Sequence, residues 1–194
     1  MRSASIERKT LETGISVDWS LDGSGYCDIN TGIGFFDHML TLLAKHSFSD
    51  LIVQAAGDLD VDSHHTVEDC GIVLGQALKE AVGDKVGIHR YGNCFLPMDE
   101  ALVQVCLDFS GRPYLVFDAA IPKVQLGMYD AEMTEEFFRA VAMNAGLTLH
   151  IRLLYGKNTH HIIEAIFKSF ARALAEAVAV DSRVQGVMSS KGSL

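Results

Sequence analysis

The stretch that decides the fold is HHTVE at residues 64–68, because the chain repeats it as HHIIE at residues 160–164. A second match follows in register, where ALKEAV at residues 77–82 returns as ALAEAV at residues 173–178. The offset is 96 residues in both places. A period of this length indicates that a whole folding unit was duplicated.

Hydrophobic spacing predicts the same succession of elements in each half. Apolar residues at helical spacing predict helices over residues 34–46, 64–82, 132–145 and 160–178. Alternating or continuous apolar runs predict strands over residues 15–21, 50–56, 93–98, 101–109, 114–118 and 147–154. We therefore expect an α+β fold of two halves, residues 1–86 and 87–194, packed as one compact unit. Each half should be a mostly antiparallel sheet with two helices on one face.

Composition narrows the class of protein. The 194 residues are 48% apolar and 21% charged, which is ordinary for a soluble globular chain that buries a substantial core. The formal net charge of −9 argues against non-specific binding to nucleic acid or anionic membranes. No apolar stretch has the length of a signal or membrane segment, so we expect a cytoplasmic protein. The four scattered cysteines form no C-x-x-C pair, which favours buried free thiols.

The repeated motif has the residue types and spacing of a metal site. On a helix, His64 and Glu68 share a face, and His65 and Glu68 are also near neighbours. Adjacent histidines point in different directions, so His64 and His65 should serve different ligands or different ions. Imidazole with carboxylate suits divalent Mn, Fe, Co, Ni or Zn, and the absence of thiolate from the motif disfavours structural zinc. One such pair could be a helix cap or a surface feature, but two copies in register favour metal binding. His38 is a further candidate ligand.

Taken in order, the motifs resemble the imidazoleglycerol-phosphate dehydratase family over essentially the whole chain. They are FFDHML at 35–40, DVDSHHTVED at 60–69, GIVLG at 71–75, PMDEA at 97–101, NTHHIIE at 158–164 and SSKG at 189–192. The resemblance implies a duplicated ribosomal-protein-S5-domain-2-like fold and a monofunctional enzyme without a fused phosphatase domain. It also implies an assembly of 24 identical subunits with active sites between subunits.

The resemblance further implies two Mn²⁺ ions per active site. One ion would take His38, His65, His160 and Glu164, and the other would take His64, Glu68, His161 and Glu136. Many relatives have histidine where this chain has Glu136, and a carboxylate is an acceptable ligand for a hard divalent ion. Apart from Glu136, these metal ligands would also be substrate-binding residues.

The implied reaction is dehydration of D-erythro-imidazole-glycerol 3-phosphate to imidazole-acetol phosphate in histidine biosynthesis. A metal-bound imidazolate would expel hydroxide to give a diazafulvene-like intermediate, and loss of the neighbouring proton would give an enol and then the ketone. By family position, Glu12 is the candidate base and His46 a substrate contact. Glu68 and Glu164 would act as catalytic metal ligands, although their engaged lone pairs make them poorer bases. Without the resemblance, Glu12 reads as a solvated surface charge.

The substrate phosphate requires fixed cationic donors. The family positions imply Arg90, Arg112, Lys168 and Lys191, with a hydroxyl donor from Ser190. Lys168 follows Glu164 by four residues and so shares its helix face, which brings a cation to the metal ligands. Any one of these cations could instead serve solubility. The terminal SSKG by itself is typical of a loose end, and we expect it to order over bound substrate.

Two other functions use the same metal ligands. One is a dinuclear phosphoesterase that activates water, and the other is a non-enzymatic protein whose histidines hold subunits together. The fate of imidazole-glycerol phosphate separates them: ketone indicates a dehydratase, free phosphate a phosphoesterase, and neither product an assembly protein.

Overall fold

Two four-stranded sheets with the same strand order dominate this computed structural model, which describes residues 2–193. The first half contains β1 (Ser3–Lys9), β2 (Thr13–Ser20), β3 (Cys27–Asn30), α1 (Gly34–Ser47), β4 (Asp50–Gly57) and α2 (His64–Val82). The second contains β5 (Tyr91–Met98), β6 (Ala101–Asp108), β7 (Tyr114–Asp118), β8 (Gln125–Leu126), β9 (Tyr129–Asp130), α3 (Met133–Ala145), β10 (Thr148–Tyr155) and α4 (Thr159–Val178).

The topology of the first half is repeated in the second. The strand orders are β1-β2-β4-β3 and β5-β6-β10-β7, and in each sheet the last pairing alone is parallel. The predicted α+β class with antiparallel-rich sheets is confirmed. The β8–β9 hairpin was not predicted, and it belongs to the second half only. The proposed boundary after residue 86 falls between α2 and β5 and stays a prediction.

Helices pack across the halves as well as on their own sheets. Within each half, α2 lies on β1, β2 and β4, and α4 lies on β5 and β6. Between halves, α1 packs on α4 and α3 packs on α2. Four aromatic rings fill the space between three of these helices, with neighbouring centroids 4.9–5.3 Å apart: Phe36, Phe137, Phe138 and Phe167. The two halves therefore share one core.

The α2–α3 pair is unusually close because α2 carries glycine at the contact. A Cβ added at Gly71 would lie 2.8 Å from both the Ala140 Cβ and the Phe137 carbonyl oxygen. One turn later, a Cβ added at Gly75 would lie 2.8 Å from the Val141 carbonyl oxygen. Backbone atoms cannot swing aside, so only glycine permits this spacing of the helices.

Two further expectations from the sequence concern the burial of the cysteines and the presence of a membrane-spanning helix. All four cysteines are free thiols, but only Cys70 is buried, where burial raises its pKa well above the usual range. The expected burial of the other three is wrong, because each lies partly exposed. Over the described residues, none of the helices has both the length and the apolarity needed to cross a membrane.

We expect Gly71→Ala to lower the free energy of unfolding by about 1–3 kcal/mol, because overpacking the helix contact outweighs the gain in helix propensity. Gly34→Ala is the matched control, since an added Cβ there has no neighbour within 4 Å. Thermal unfolding of both variants measures the effect. A Gly71→Ala protein that melts at or above the wild-type temperature would contradict this account of the α2–α3 contact.

Candidate metal centre

The packing of α1 on α4 brings three potential metal ligands together. Ring nitrogens of His38 and His160 and a carboxylate oxygen of Glu164 all lie within 4.8 Å of one another. The Glu164 Oε2 atom is 3.1 Å from His160 Nε2 and 3.6 Å from His38 Nε2. Phe35 packs edge-on against the His160 ring with centroids 5.0 Å apart, which limits the orientation of that imidazole. We call these three side chains the α1/α4 group.

Glu164 is held in its ionised form although it is buried. Burial raises the pKa of its carboxyl, but the Lys168 ammonium and the neighbouring His160 lower it further, and the result lies below the usual value. The Lys168 Nζ atom is 2.5 Å from Glu164 Oε1. The carboxylate that would bind a cation is therefore negative, and one of its oxygens already has a fixed partner.

The packing of α3 on α2 gathers a second set of ligand types. His64 Nε2 lies 3.5 Å from Glu68 Oε2, as the spacing of the motif predicted. Glu136, at the start of α3, lines the same cavity of about 380 Å³ as His64. Arg139 Nε is 3.6 Å from the Glu136 carboxylate. We call His64, Glu68 and Glu136 the α2/α3 group, and it is the counterpart in the other helix pair of the α1/α4 group.

The second histidine of each motif lies outside both groups. His65 Nδ1 is 3.0 Å from Asp58 Oδ2, and His161 Nδ1 is 2.7 Å from Glu100 Oε2. Adjacent side chains on a helix point in different directions, as expected from the sequence. In the part of the chain that the structure describes, three members of the first expected set lie close enough together for one ion. In the second set His64 lies near Glu68, and Glu136 lines the same cavity as His64. The fourth member of each set, His65 or His161, is directed elsewhere.

Asp58 and Glu100 were not identified as site residues from the sequence. Hydrogen bonding to Asp58 raises the pKa of His65, and hydrogen bonding to Glu100 raises the pKa of His161. A carboxylate on Nδ1 fixes the ring and leaves Nε2 to face a ligand, which is a common arrangement around metal-binding histidines. The only sequence signal was the presence of Glu100 in the PMDEA motif, and spacing could not pair it with a residue on α4.

The start of α4 is fixed by hydrogen bonds from the loop before it and from the turn between β5 and β6. The Asn158 side chain caps the helix, accepting from the backbone N–H groups of His160 at 2.9 Å and His161 at 3.3 Å. Glu100 Oε1 in turn accepts from the Asn158 N–H at 2.7 Å and the Lys157 N–H at 3.1 Å. Because both histidines occupy the first turn, these bonds fix the direction in which their rings leave the helix.

Three further candidates lie at the end of α1, after β1 and before β7. His46 lies in the last turn of α1, where burial and then the cations Lys168 and Arg172 lower its pKa. The exposed Glu12 follows β1, and its carboxylate is 3.9 Å from His65 Nδ1. Arg112 lies in the exposed turn before β7.

The C-terminal candidates lie beside Arg90. The buried Arg90 side chain and Ser190 line one cavity of about 550 Å³, and the exposed Lys191 follows directly. The fold therefore distributes most of the sequence candidates over the α1/α4 group, the α2/α3 group and the cavity under the tail. The others lie outside these places: His65 with Glu12, His161, and Arg112.

Comparisons with known proteins show the family to which the chain belongs. Residues 31–174 match the family model described as imidazoleglycerol-phosphate dehydratase. Proteins of that name from Acetivibrio thermocellus and Symbiobacterium thermophilum are 62% and 59% identical over 193 residues, covering 100% of this chain and 99% and 93% of the relatives. Imidazoleglycerol-phosphate dehydratase from Staphylococcus aureus has a similar structure, with a TM-score of 0.84, 47% identity and coverage of 92% and 99%. The Pyrococcus furiosus structure, a complex with (S)-C348, also gives 0.84, with 39% identity and coverage of 97% and 100%.

We expect Glu100→Gln to destabilise the protein most near neutral pH. Hydrogen bonds from His161, Asn158 and Lys157 lower the pKa of Glu100 from 4.5 to about 2. The stability that the carboxylate contributes is therefore present above pH 4.5 and is lost as the pH falls toward about 2. Thermal unfolding near pH 7 and again below pH 4.5 should show a deficit that narrows in acid.

The control is Glu132→Gln, which removes an exposed ion pair with Lys123 and none of the hydrogen bonds at the start of α4. A Glu100→Gln deficit that stays constant across this pH range would contradict the pairing described for Glu100.

Proposed function

The chain belongs to the imidazoleglycerol-phosphate dehydratase family and is a hydro-lyase of histidine biosynthesis; from this premise we propose how its residues perform the dehydration. The substrate is D-erythro-imidazole-glycerol 3-phosphate, and the product is imidazole-acetol phosphate. The reaction takes place where the α1/α4 group of one subunit meets the α2/α3 group of another. The observation that carries this proposal is the division of the ligands into two incomplete groups.

The chemistry of the donors fits two hard divalent ions. The α1/α4 group offers two imidazoles and a buried, ionised carboxylate whose ligand atoms are within reach of one ion. The α2/α3 group offers one imidazole and two carboxylates, with no thiolate in either set. Oxygen and imidazole ligands of this kind suit Mn²⁺, and we propose two Mn²⁺ ions per active site. When bound to the substrate imidazole, they would favour loss of its ring proton and strengthen the ring as an electron donor.

The fourth ligand of each ion is proposed to come from a neighbouring subunit. His65 would complete the α1/α4 group of the next copy, and His161 would complete its α2/α3 group. Asp58 and Glu100 hold these two rings by Nδ1, so Nε2 is the nitrogen available to the ion. Such sharing makes assembly a condition of activity, and it accords with the proposed closed particle of 24 subunits.

Glu12 is the proposed base for the second half of the reaction. Departure of hydroxide from the carbon next to the ring leaves a diazafulvene-like species, and a proton must then leave the neighbouring carbon to give the enol. Glu12 is exposed and lies beside His65, on a turn where its backbone N–H donates to Thr10 Oγ1 at 3.1 Å. Glu68 and Glu164 serve instead as ligands, since their lone pairs would be engaged.

Cationic donors are proposed to hold the phosphate. Arg90, Arg112 and Lys191 supply charge, Ser190 supplies a hydroxyl, and the Lys168 ammonium lies beside the α1/α4 group. His46 contacts the substrate from the last turn of α1. These local cations offset the net charge of −9 where the anionic substrate binds.

Metal removal tests the proposal directly. Chelation should break the particle into smaller oligomers and abolish ketone formation, and added Mn²⁺ should restore both. Light scattering follows particle size, and product analysis should find ketone without free phosphate. Chelator already saturated with Mn²⁺ is the control. A full-size particle that still makes ketone after complete metal removal would contradict both the metal and the intersubunit site.

Glu12→Gln should lower kcat by about 10²–10⁴-fold, because the amide cannot accept the proton, while metal content and particle size stay unchanged. Glu7→Gln is the matched control, since Glu7 is an exposed carboxylate on the adjacent strand. Steady-state kinetics and metal analysis give the answer, and a wild-type kcat in Glu12→Gln would remove Glu12 from the mechanism.

Truncation before Ser189 should raise KM at least about tenfold, or abolish turnover, because the tail donates to the phosphate. The particle should keep its size by light scattering. A shorter truncation that removes only residues 193–194 retains SSKG and should behave as wild type. Unchanged kinetics in the longer truncation would show that the tail has no part in binding.

A further inference from the structure

The guanidinium of Arg90 is held by two fixed acceptors. Its Nε and Nη2 atoms donate to the two carboxylate oxygens of Asp108, at 2.6 and 3.1 Å, and Nη1 donates to the Met188 carbonyl oxygen at 2.7 Å. Asp108 ends β6, Arg90 directly precedes β5, and Met188 lies in the C-terminal tail. One buried cation therefore joins the second sheet to the tail.

The backbone of Arg90 is fixed as firmly as its side chain. Its N–H donates to the Ala177 carbonyl oxygen at 2.9 Å, and its carbonyl accepts from the Phe109 N–H at 3.1 Å. The φ angle is +71°, a left-handed conformation that is unfavourable for a residue with a side chain. The bonds on both sides hold Arg90 in this conformation, so the side chain starts from an immobile Cα.

Two of the guanidinium N–H groups of Arg90 remain available to a ligand. Arginine has five N–H donors in a plane, and Asp108 and Met188 take three of them. One N–H on Nη1 and one on Nη2 have no acceptor among residues 2–193. These two donors remain for the oxygens of a phosphate.

The cavity that Arg90 lines suits a phosphate. It is lined by Arg90 together with Ser189 and Ser190, which directly follow Met188. Because Met188 is bonded to the same guanidinium, a phosphate bound there would lie at the start of the SSKG segment. The arrangement couples the position of the tail to the orientation of the cation.

We propose that Asp108 is a positioning residue for the dehydration: by holding the Nε side of Arg90, it turns the two remaining N–H groups toward the substrate phosphate and keeps Nη1 on Met188. This inference rests on the proposed role of Arg90 in phosphate binding. Asp108 itself does not touch the substrate. Its loss should therefore weaken phosphate binding in ground state and transition state alike.

The test is Asp108→Asn, measured as the assembled enzyme with Mn²⁺. The amide keeps the shape but sets its NH₂ against a guanidinium N–H, so the fork loses its orientation. We expect KM for the substrate and the inhibition constant of inorganic phosphate to rise about tenfold, with kcat within about twofold of wild type. An assembled Asp108→Asn enzyme with wild-type KM and phosphate inhibition would overturn the proposal.

A matched control exists at the other end of the chain. Arg2 is held by the Asp22 carboxylate and donates to the Val178 carbonyl oxygen, the same arrangement at a guanidinium that does not line the cavity under the tail. Asp22→Asn should change neither kinetic constant. If it raises KM as Asp108→Asn does, the effect is a general loss of an ion pair and the positioning role is wrong.

Two further variants keep the outcome decisive. Should Asp108→Asn fail to assemble, Asp108→Glu keeps the charge and displaces it by one methylene, and it should raise KM less; wild-type KM and phosphate inhibition in Asp108→Glu would overturn the inference. Arg90→Gln distinguishes the phosphate-binding role of Arg90 from the positioning role of Asp108. If Arg90→Gln raises KM and Asp108→Asn does not, only the positioning role is wrong. If KM is unchanged in Arg90→Gln, the phosphate-binding role of Arg90 is wrong as well.

Discussion

The exchange of helix contacts between the halves is the constraint on which the rest of the structure depends. Neither half could assemble a metal group alone, because α1 packs on α4 and α3 on α2. His38 reaches Glu164 only through the first pairing, and Glu136 reaches the cavity of His64 only through the second. The two halves share one topology, and the crossed packing gathers the α1/α4 group and places Glu136 at the cavity of His64.

Two buried charged side chains, Glu164 and Arg90, are each paired with a group of opposite charge. Glu164 stays ionised in a buried position because Lys168 neutralises one of its oxygens. Asp108 does the same for the buried Arg90. Buried charges that lack partners are costly, so each of these pairs both permits the burial and fixes the direction of the group. The fold thereby presents cations and anions at set angles instead of as mobile surface charges.

The local features of the fold and of the motif could be predicted from the sequence, whereas contacts between distant segments could not. The repeat predicted two halves of one topology, and helical spacing predicted that His64 and Glu68 share a face. The partner of His161 could not be predicted, because Glu100 comes from a loop far away in sequence and no local pattern records that pairing. The hydrogen bonds of Arg90 could not be predicted either, because they depend on where the C-terminal tail packs against the second sheet.

The most direct measurement of shared sites is subunit complementation. His38→Ala damages the α1/α4 group. His65→Ala leaves that group intact but removes the fourth ligand proposed to come from the neighbouring subunit. Each variant alone should therefore be inactive. If the two are dissociated by chelation, mixed and reassembled with Mn²⁺, activity should return, because an intact group from one subunit meets an intact His65 from the other. A mixture of His38→Ala with His160→Ala, both damaged in one group, should stay inactive. No recovery in the first mixture, or equal recovery in both, would contradict sites built from two subunits.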